Sequence, residues 1–165
     1  MGIRKMTILG LYTTIALTIF MIEAALPGLA PVPGMKLGLA NIVTLFMISR
    51  YPVREVFLVL FMRILLSSIF AGQAVSLLYS LSGGVLCLLV TALVHRLIGR
   101  KYIYLTSIMG AAAHNAGQIL AAFAILKSPG VFVYLPYLMV SGIVTGLFTG
   151  LVCLFADRYL PRRMR

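Results

Sequence analysis

Polar side chains set inside long apolar stretches are the residues of this sequence that could do chemistry. His114, Asn115 and Gln118 fall within one such stretch, and the four-residue spacing from His114 to Gln118 puts both on one helix face. An imidazole and two amides can donate and accept hydrogen bonds, which suits them to hold the polar edges of a small molecule. A histidine alone would usually be a satisfied core residue. The two neighbouring amides make binding and packing equally supported interpretations.

Further polar residues within or beside the apolar stretches extend this set: Glu23, Lys36, Asn41, Arg63 and Gln73. An unpaired polar group in lipid is costly, so each must face protein, water or a ligand. Lys36 and Arg63 suit an anionic group. Each charged residue also has a structural interpretation, because Glu23 can anchor its helix, Arg63 can tie backbone carbonyls or Glu23, and Lys36 can extend to lipid headgroups.

The composition indicates a membrane protein. Hydrophobic residues make up 62% of the 165-residue chain and charged residues 10%, with a mean hydropathy of +1.09. A soluble domain of this size needs a substantially polar surface, so most of this surface must face lipid. The net charge of +11 comes from 14 Lys and Arg against 3 acidic residues. Because the basic residues lie mostly at the ends of apolar stretches, they indicate membrane orientation and not nucleic-acid binding.

Apolar stretches of helical length divide the chain. A helix needs about 20 residues to cross the hydrocarbon core, and on that scale the pattern predicts an all-α membrane protein with six transmembrane helices. Their predicted bounds are 6–26, 36–50, 53–71, 74–95, 102–126 and 132–156. Proline and glycine mark the turns between them. We therefore expect a single transmembrane domain over residues 1–165.

The basic residues sort to one end of this six-helix arrangement. Lys and Arg in short loops are retained on the cytoplasmic side of a membrane. The residues on that side are Arg4, Lys5, Arg50, Arg54, Arg96, Arg100, Lys101, Arg158, Arg162, Arg163 and Arg165. The opposite loops hold only Lys36 and Lys127. Both termini are therefore predicted to be cytoplasmic, in a multi-pass protein of the cell membrane.

The depth of the polar residues predicts where a pocket would lie. Counted from the cytoplasmic end, Glu23, Asn41 and Gln118 lie roughly 22–26 Å up. Arg63 and His114 lie roughly 15 Å up. Most of the costly polar groups therefore fall in the outer half of the membrane, which predicts an outward-facing binding pocket.

Small residues mark a packing face on the last predicted helix. Gly142, Gly146 and Gly150 recur every four residues, a spacing that lets helices approach closely. Internal packing is the simpler interpretation, and docking of another membrane subunit is the alternative. Cys87 and Cys153 fall in apolar helices, so we interpret them as packing residues and not as disulfide or metal ligands.

Two motifs carry a family resemblance. The first is Pro-Gly-Met-Lys-Leu-Gly-Leu-Ala-Asn-Ile-Val-Thr-Leu at 33–45, and the second is Gly-Ala-Ala-Ala-His-Asn-Ala-Gly-Gln at 110–118. With them the chain resembles the Gx transporter family, which is also catalogued as heptaprenyl diphosphate synthase component I. That family is similar to the substrate-binding S components of energy-coupling factor (ECF) transporters. The resemblance covers nearly the whole chain.

The resemblance implies the six-helix S-component fold in a bacterial cytoplasmic membrane, with a substrate site in the outer half below the first loop. Its partners would be a transmembrane coupling subunit and two cytoplasmic ATPases. Its substrate would be a small molecule such as an isoprenoid or quinone precursor, or a flavin-like vitamin. The residues it supports as substrate-binding are Lys36, Asn41, His114, Asn115 and Gln118. The assignment of Glu23, Arg63 and Gln73 to the site depends only on the free-energy cost of placing a polar group in the membrane.

Enzymatic chemistry by this chain alone is not expected. Prenyl chain elongation needs clustered aspartates that hold magnesium against a diphosphate, and Asp157 is the single aspartate of the sequence. The sequence also has no Gly-Lys-Ser or Gly-Lys-Thr loop to grip a phosphate, so ATP hydrolysis would come from a partner. The leading prediction is a substrate-binding, S-component-like subunit of an ECF-type importer, without a cofactor or metal of its own.

Two other functions stay open. An accessory subunit could support a prenyl diphosphate synthase or a redox assembly at the membrane without an accessible pocket. A carrier working alone could couple uptake to protons through Glu23 or His114. Co-purified partners distinguish the three functions. An importer subunit predicts ATPases with a coupling protein, an accessory subunit predicts a prenyl synthase, and a carrier working alone predicts neither.

Overall fold

Helices account for all the regular structure in the part of the chain that the computed structural model describes, residues 2–25, 38–71 and 74–159. The α-helices are α1 Ile3–Ala25, α2 Asn41–Ile48, α3 Val53–Ala71, α4 Ala74–Ile98, α5 Ile103–Leu126 and α6 Leu135–Tyr159. Short 3-10 turns, Arg100–Tyr102 and Pro129–Tyr134, precede α5 and α6. The predicted all-α class is confirmed for these residues.

Glycine and proline set several of the helix ends. Pro52 lies immediately before α3, and Pro129 begins the 3-10 turn that precedes α6. Proline is suited to these starting positions because it lacks the N–H that a helix interior requires. Gly99 adopts a φ of 71° just after α4, a conformation that ends a helix and favours glycine. Because the Pro129–Tyr134 turn comes first, α6 covers Leu135–Tyr159 where 132–156 was predicted.

Four helical segments among the described residues are long and apolar enough to cross a membrane: Ile3–Ala25, Val75–Ile98, Arg100–Leu126 and Pro129–Tyr159. Their large apolar side chains are widely exposed, as on Leu89, Leu97, Val140 and Phe148. Exposed apolar surface of this extent is expected where the solvent is lipid. The chain is therefore a multi-pass helical membrane protein.

Six transmembrane helices stay a prediction, but the predicted bounds of the second helix need correction. The sequence predicted a helix over 36–50, whereas α2 has 8 residues and is only about 12 Å long. Residues Leu39 and Ala40 form a turn before it, and Lys36 lies outside the described residues. Six of its residues, Val43–Ile48, are buried. A helix buried on all sides by protein is as apolar as a helix that crosses a membrane, so composition alone did not distinguish a buried helix from a transmembrane one.

α3 also falls outside the four candidate spans. It has the predicted bounds and 19 residues, but it carries Arg54, Glu55 and Arg63. α1 packs on α3, α3 on α4, and α4, α5 and α6 pack in succession, with α2 touching α1, α3, α4 and α6. The short helix α2 is therefore the centre of the bundle, and its residue Met47 is fully buried.

Ion pairs hold the helix ends together at one side of the bundle. Asp157 on α6 accepts hydrogen bonds from Arg50, with Nη2 2.7 Å from Oδ1, and from Arg100, with Nε 2.7 Å from Oδ2. Lys5 on α1 lies 2.5 Å from Glu55 on α3. Lys5, Arg50 and Arg100, which the sequence assigned to one side of the membrane, form these pairs, while Arg162, Arg163 and Arg165 lie outside the described residues. We call this end, marked by Lys5, Arg50, Glu55, Arg100 and Asp157, the charged end.

Asp157→Ala is expected to lower the free energy of unfolding by about 1–2 kcal/mol, between the values for exposed ion pairs and for hydrogen bonds to charged groups. The variant leaves Arg50 and Arg100 close together without their shared carboxylate, so high salt should recover part of the loss. Unfolding in mixed micelles, followed by circular dichroism at low and high salt, measures the effect. Arg96→Ala is the control, because Arg96 is exposed at the same end. Equal effects of the two changes would contradict the prediction.

Candidate functional site

The turn that precedes α2 lies inside the bundle and needs hydrogen-bond acceptors. Glu23 of α1 supplies them, since its Oε1 accepts from the backbone N–H of Gly38 at 2.8 Å and its Oε2 accepts from Leu39 at 2.9 Å. Glu23 is 4% exposed. A non-helical backbone is tolerated within an apolar surrounding only where protein satisfies its polar groups. The buried carboxylate therefore holds the start of α2 against α1.

Gly38 is the closest link between this turn and the predicted polar face of α5. Its φ is +84°, and a Cβ atom there would lie 2.8 Å from the Asn41 amide nitrogen and 2.8 Å from the His114 ring. On the other side, a Cβ on Gly83 of α4 would lie 2.9 Å from His114 Cε1. The imidazole is thus held between two glycines, where any side chain would displace it.

The three polar residues of α5 do not act as one surface. His114 Nε2 and Gln118 Nε2 lie 2.9 Å apart, as the four-residue spacing requires, so the ring nitrogen accepts from the amide. Asn115 points the other way and donates through Nδ2 to the carbonyl of Leu138 on α6. All three are buried. His114 lies beside Gly38, just before α2, while Asn115 ties α5 to α6.

Arg63 of α3 is the buried cation of this region. It is 4% exposed, its Cζ lies 5.8 Å from the centre of the Phe20 ring, and it interacts electrostatically with Glu23 and His114. Its Nη2 is buried and has no hydrogen-bond partner in the described part of the chain. A buried donor of a charged group is costly to leave unsatisfied, so this atom is suited to donate a hydrogen bond to an anionic or carbonyl oxygen of a ligand.

We call Glu23, Asn41, Arg63, His114 and Gln118 the polar core. The structure thus links five of the eight predicted substrate-binding residues: Glu23, Asn41 and His114 lie at Gly38, Gln118 bonds His114, and Arg63 interacts electrostatically with Glu23 and His114. The depth estimate put Glu23 and His114 on different levels, but both contact Gly38, one through its N–H and the other through its Cα side. Lys36 and Gln73, also predicted to bind substrate, lie outside the described residues. Substrate binding by any of the eight stays a prediction.

The glycine stripe of α6 faces α5. A Cβ on Gly142 would lie 2.7 Å from Asn115 Nδ2, and one on Gly146 would lie 2.7 Å from the Cα of Ile108. A Cβ on Gly150 would lie 2.8 Å from the Cα of Tyr104. Because α5 covers all three positions, this stripe packs internally and leaves no room there for another subunit.

Two features of the site escaped the sequence analysis. The first is the confinement of His114 by Gly38 and Gly83. Gly38 lies in the motif at 33–45, from which the sequence analysis selected only Lys36 and Asn41 as binding residues, and Gly83 lies in neither motif. The second feature is a hydroxyl pair between α5 and α6, in which Ser107 and Thr149 lie 2.8 Å apart. Their positions beside the glycine stripe were the available signal, since small polar residues are common where membrane helices meet.

The described residues contain no group of three or more His, Cys, Asp or Glu side chains suited to hold a metal ion. The 3 acidic residues of the sequence have separate tasks. Glu23 holds backbone N–H groups, Glu55 pairs with Lys5, and Asp157 pairs with arginines at the charged end. They do not approach one another as magnesium-binding carboxylates would.

Fold and site together define a multi-pass helical membrane protein with a buried, charged polar core. Residues 12–155 match the family described as heptaprenyl diphosphate synthase component I, and the chain belongs to that family. The predicted membership is thereby confirmed under its catalogued name, whereas the similarity to ECF S components stays a prediction. No curated protein and no solved structure matches the chain.

Proposed function

We propose that this chain is the non-catalytic membrane component of a prenyl diphosphate synthase assembly, in which a partner subunit carries out the chemistry. The family description names a component of such a synthase. The carrying observation is that each of the three carboxylates is engaged in holding the fold, at Gly38 and Leu39, at Lys5, or at the charged end. A diphosphate-bound magnesium ion needs several oxygen ligands, so the partner must supply them.

The charged end is the surface we propose for that partner. The sides of the described helices expose large apolar residues suited to lipid, whereas Arg54, Arg96 and Lys101 are exposed at this end. We place this end in the bacterial cytoplasm, because basic residues at helix ends are retained there. Exposed cations also attract the acidic surface of a soluble partner and raise its association rate.

Reconstitution tests this proposal. The chain is inserted into vesicles, and the prenyl synthase that co-purifies with it from its native membrane is added back. We expect the vesicles to bind the synthase, and mass spectrometry of the products to show longer prenyl chains than the synthase makes alone. Lys101→Glu should weaken binding at least several-fold, and Lys127→Glu, an exposed cation at the other end of α5, is the matched control. Failure of any synthase to co-purify, or equal effects of both reversals, would contradict it.

The unpartnered Nη2 of buried Arg63 favours a second candidate, the substrate-binding, S-component-like subunit of an ECF importer. In that case the polar core, with Lys36 and Gln73, would bind a small anionic molecule such as an isoprenoid or quinone precursor or a flavin-like vitamin. A coupling subunit and two ATPases would supply energy. This candidate includes the proposed six-helix arrangement with both termini in the cytoplasm.

Native mass spectrometry of the gently purified protein separates the candidates, since it reports retained ligand and partners together. The importer predicts ATPases, a coupling protein and a ligand whose binding falls at least tenfold in Arg63→Gln. Lys36→Ala and Asn41→Ala should also reduce binding and uptake, and no effect of either would disprove the pocket assignment. A retained synthase supports the first candidate. Uptake without either partner, collapsing with the proton gradient, would instead indicate a proton-coupled carrier.

A further inference from the structure

A small polar cavity lies at the centre of the bundle, on the side of Asn41 that faces α4, α5 and α6, and Asn41 is the one residue of the polar core that lines it. It has a volume of about 20 Å³ and lies between α2, α4, α5 and α6. Its polar lining comes from Asn41, Thr91, Ser107, Thr145 and Thr149. Thr91, Ser107 and Thr149 are each less than a tenth exposed. A cavity of about 10–15 Å³ holds one water molecule, so this one has room for a single small guest.

The hydroxyl hydrogens on the α6 side are already used within the protein. Thr145 donates to the carbonyl of Ser141 at 2.9 Å, and Thr149 donates to the carbonyl of Gly146 at 3.1 Å. With the Thr149 hydrogen on Gly146, Ser107 is the donor in its 2.8 Å bond to Thr149. In this arrangement the three oxygens accept hydrogen bonds from the cavity.

The opposite walls add one more acceptor and one donor. Asn41 Oδ1 is buried and has no hydrogen-bond partner in the described part of the chain. Thr91 Oγ1 lies 3.8 Å from Cys87 Sγ, and when that thiol donates, the Thr91 hydrogen is free to point into the cavity. A guest molecule must therefore donate hydrogen bonds to the oxygens on α2, α5 and α6 and accept one from the Thr91 hydroxyl on α4.

We propose that this cavity is a binding site for one ordered water molecule that joins the first residue of α2 to α4 and to the α5–α6 pair. The water donates to Asn41 Oδ1 and to one hydroxyl oxygen of Ser107, Thr145 or Thr149, and it accepts from Thr91. Three bonds are the usual number for a buried water. A sodium ion would fit the acceptors, but no carboxylate lines the cavity, and burying an uncompensated charge costs far more than ordering a water. Asn41 is thereby a positioning residue for α2.

A high-resolution structure of the whole chain, determined by cryo-electron microscopy in sodium-free buffer, tests the proposal directly. We expect one density peak within about 2.5–3.0 Å of Asn41 Oδ1 and Thr91 Oγ1. The peak should be unchanged when sodium chloride replaces choline chloride. A peak present only with sodium would overturn the proposal in favour of a cation site, and a cavity without density would overturn it outright.

Thermal unfolding supplies a second measurement. Thr91→Val keeps the volume but removes the donor, so the midpoint should fall by roughly 2–4 °C, whereas Thr91→Ser should restore it. The control is Thr14→Val, which removes a hydroxyl on the exposed side of α1, where Thr14 bonds only its own helix at Gly10. An equal fall in Thr91→Val and Thr14→Val, or no rescue by serine, would overturn the proposal. If Thr91→Val does not fold, the density in the unaltered chain still decides.

Discussion

Glu23→Ala is expected to cost the protein several kcal/mol of stability, more than any other single change considered for this chain. The carboxylate accepts the N–H groups of Gly38 and Leu39, and each buried donor left without an acceptor costs about 1–3 kcal/mol. The change also removes the carboxylate that interacts electrostatically with buried Arg63. Water cannot easily replace these bonds inside a lipid-facing bundle. The start of α2 should therefore detach from α1.

Equilibrium unfolding in mixed micelles, followed by circular dichroism, measures this effect. Glu23→Gln is the informative partner variant, because its amide keeps one acceptor oxygen and should recover about half of the loss. Thr18→Val serves as the control, since Thr18 is exposed on the same helix and bonds only to Thr14, so its loss should stay within about 0.5 kcal/mol. If Glu23→Ala unfolds as readily as Thr18→Val, the carboxylate does not hold the turn.

Gly117→Ala and Gly10→Ala are expected to change stability in opposite directions. A Cβ on Gly117 would lie 2.7 Å from the carbonyl oxygen of Ser82 and 2.9 Å from the Cα of Gly83. These are backbone atoms of α4 that cannot rotate away, so α4 and α5 must separate, at about 2–3 kcal/mol. Nothing lies within 4 Å of a Cβ on Gly10, and alanine there should gain up to about 1 kcal/mol from helix propensity.

The same unfolding measurement tests this pair. Because both changes add one methyl group to a helix, their difference reports the close approach of α4 and α5 and not a general effect of alanine. The Ser82 hydroxyl donates to the Gly117 carbonyl at 2.6 Å, so Ser82→Ala should weaken the same contact by about 1 kcal/mol. Stabilisation by Gly117→Ala would show that the two helices do not meet at this position.

Sequence reasoning succeeded where one periodicity or one count was enough. Long apolar stretches predicted helices that, except for α2, the structure places within three residues. The sorting of cations anticipated the charged end where Arg50 and Arg100 meet Asp157. The spacing of His114 and Gln118 predicted that they share a face, and their side chains do bond. The motifs identified the family. Each of these results depends on residues close in sequence or on a sum over the chain.

Other features depend on contacts between distant residues. The sequence grouped Asn115 with His114, but Asn115 is bonded to Leu138 on α6. It left open whether Glu23 anchors a helix or lines a pocket, and the structure shows it bonded to the backbone of Gly38, fifteen residues away. It also left the glycine stripe of α6 open to another subunit, although α5 covers it.

By itself, the sequence determined that this chain is helical, lies in a membrane and concentrates its cations at one end. Lipid and water impose those properties on any chain of this composition. Only the tertiary structure decided that α2 is a short central helix, because an apolar stretch satisfies burial in protein as well as burial in lipid. It also decided that Glu23 and His114 meet at Gly38 and that both interact electrostatically with Arg63. Helices separated in sequence bring those groups together, and the requirement to satisfy each buried polar group fixes their arrangement.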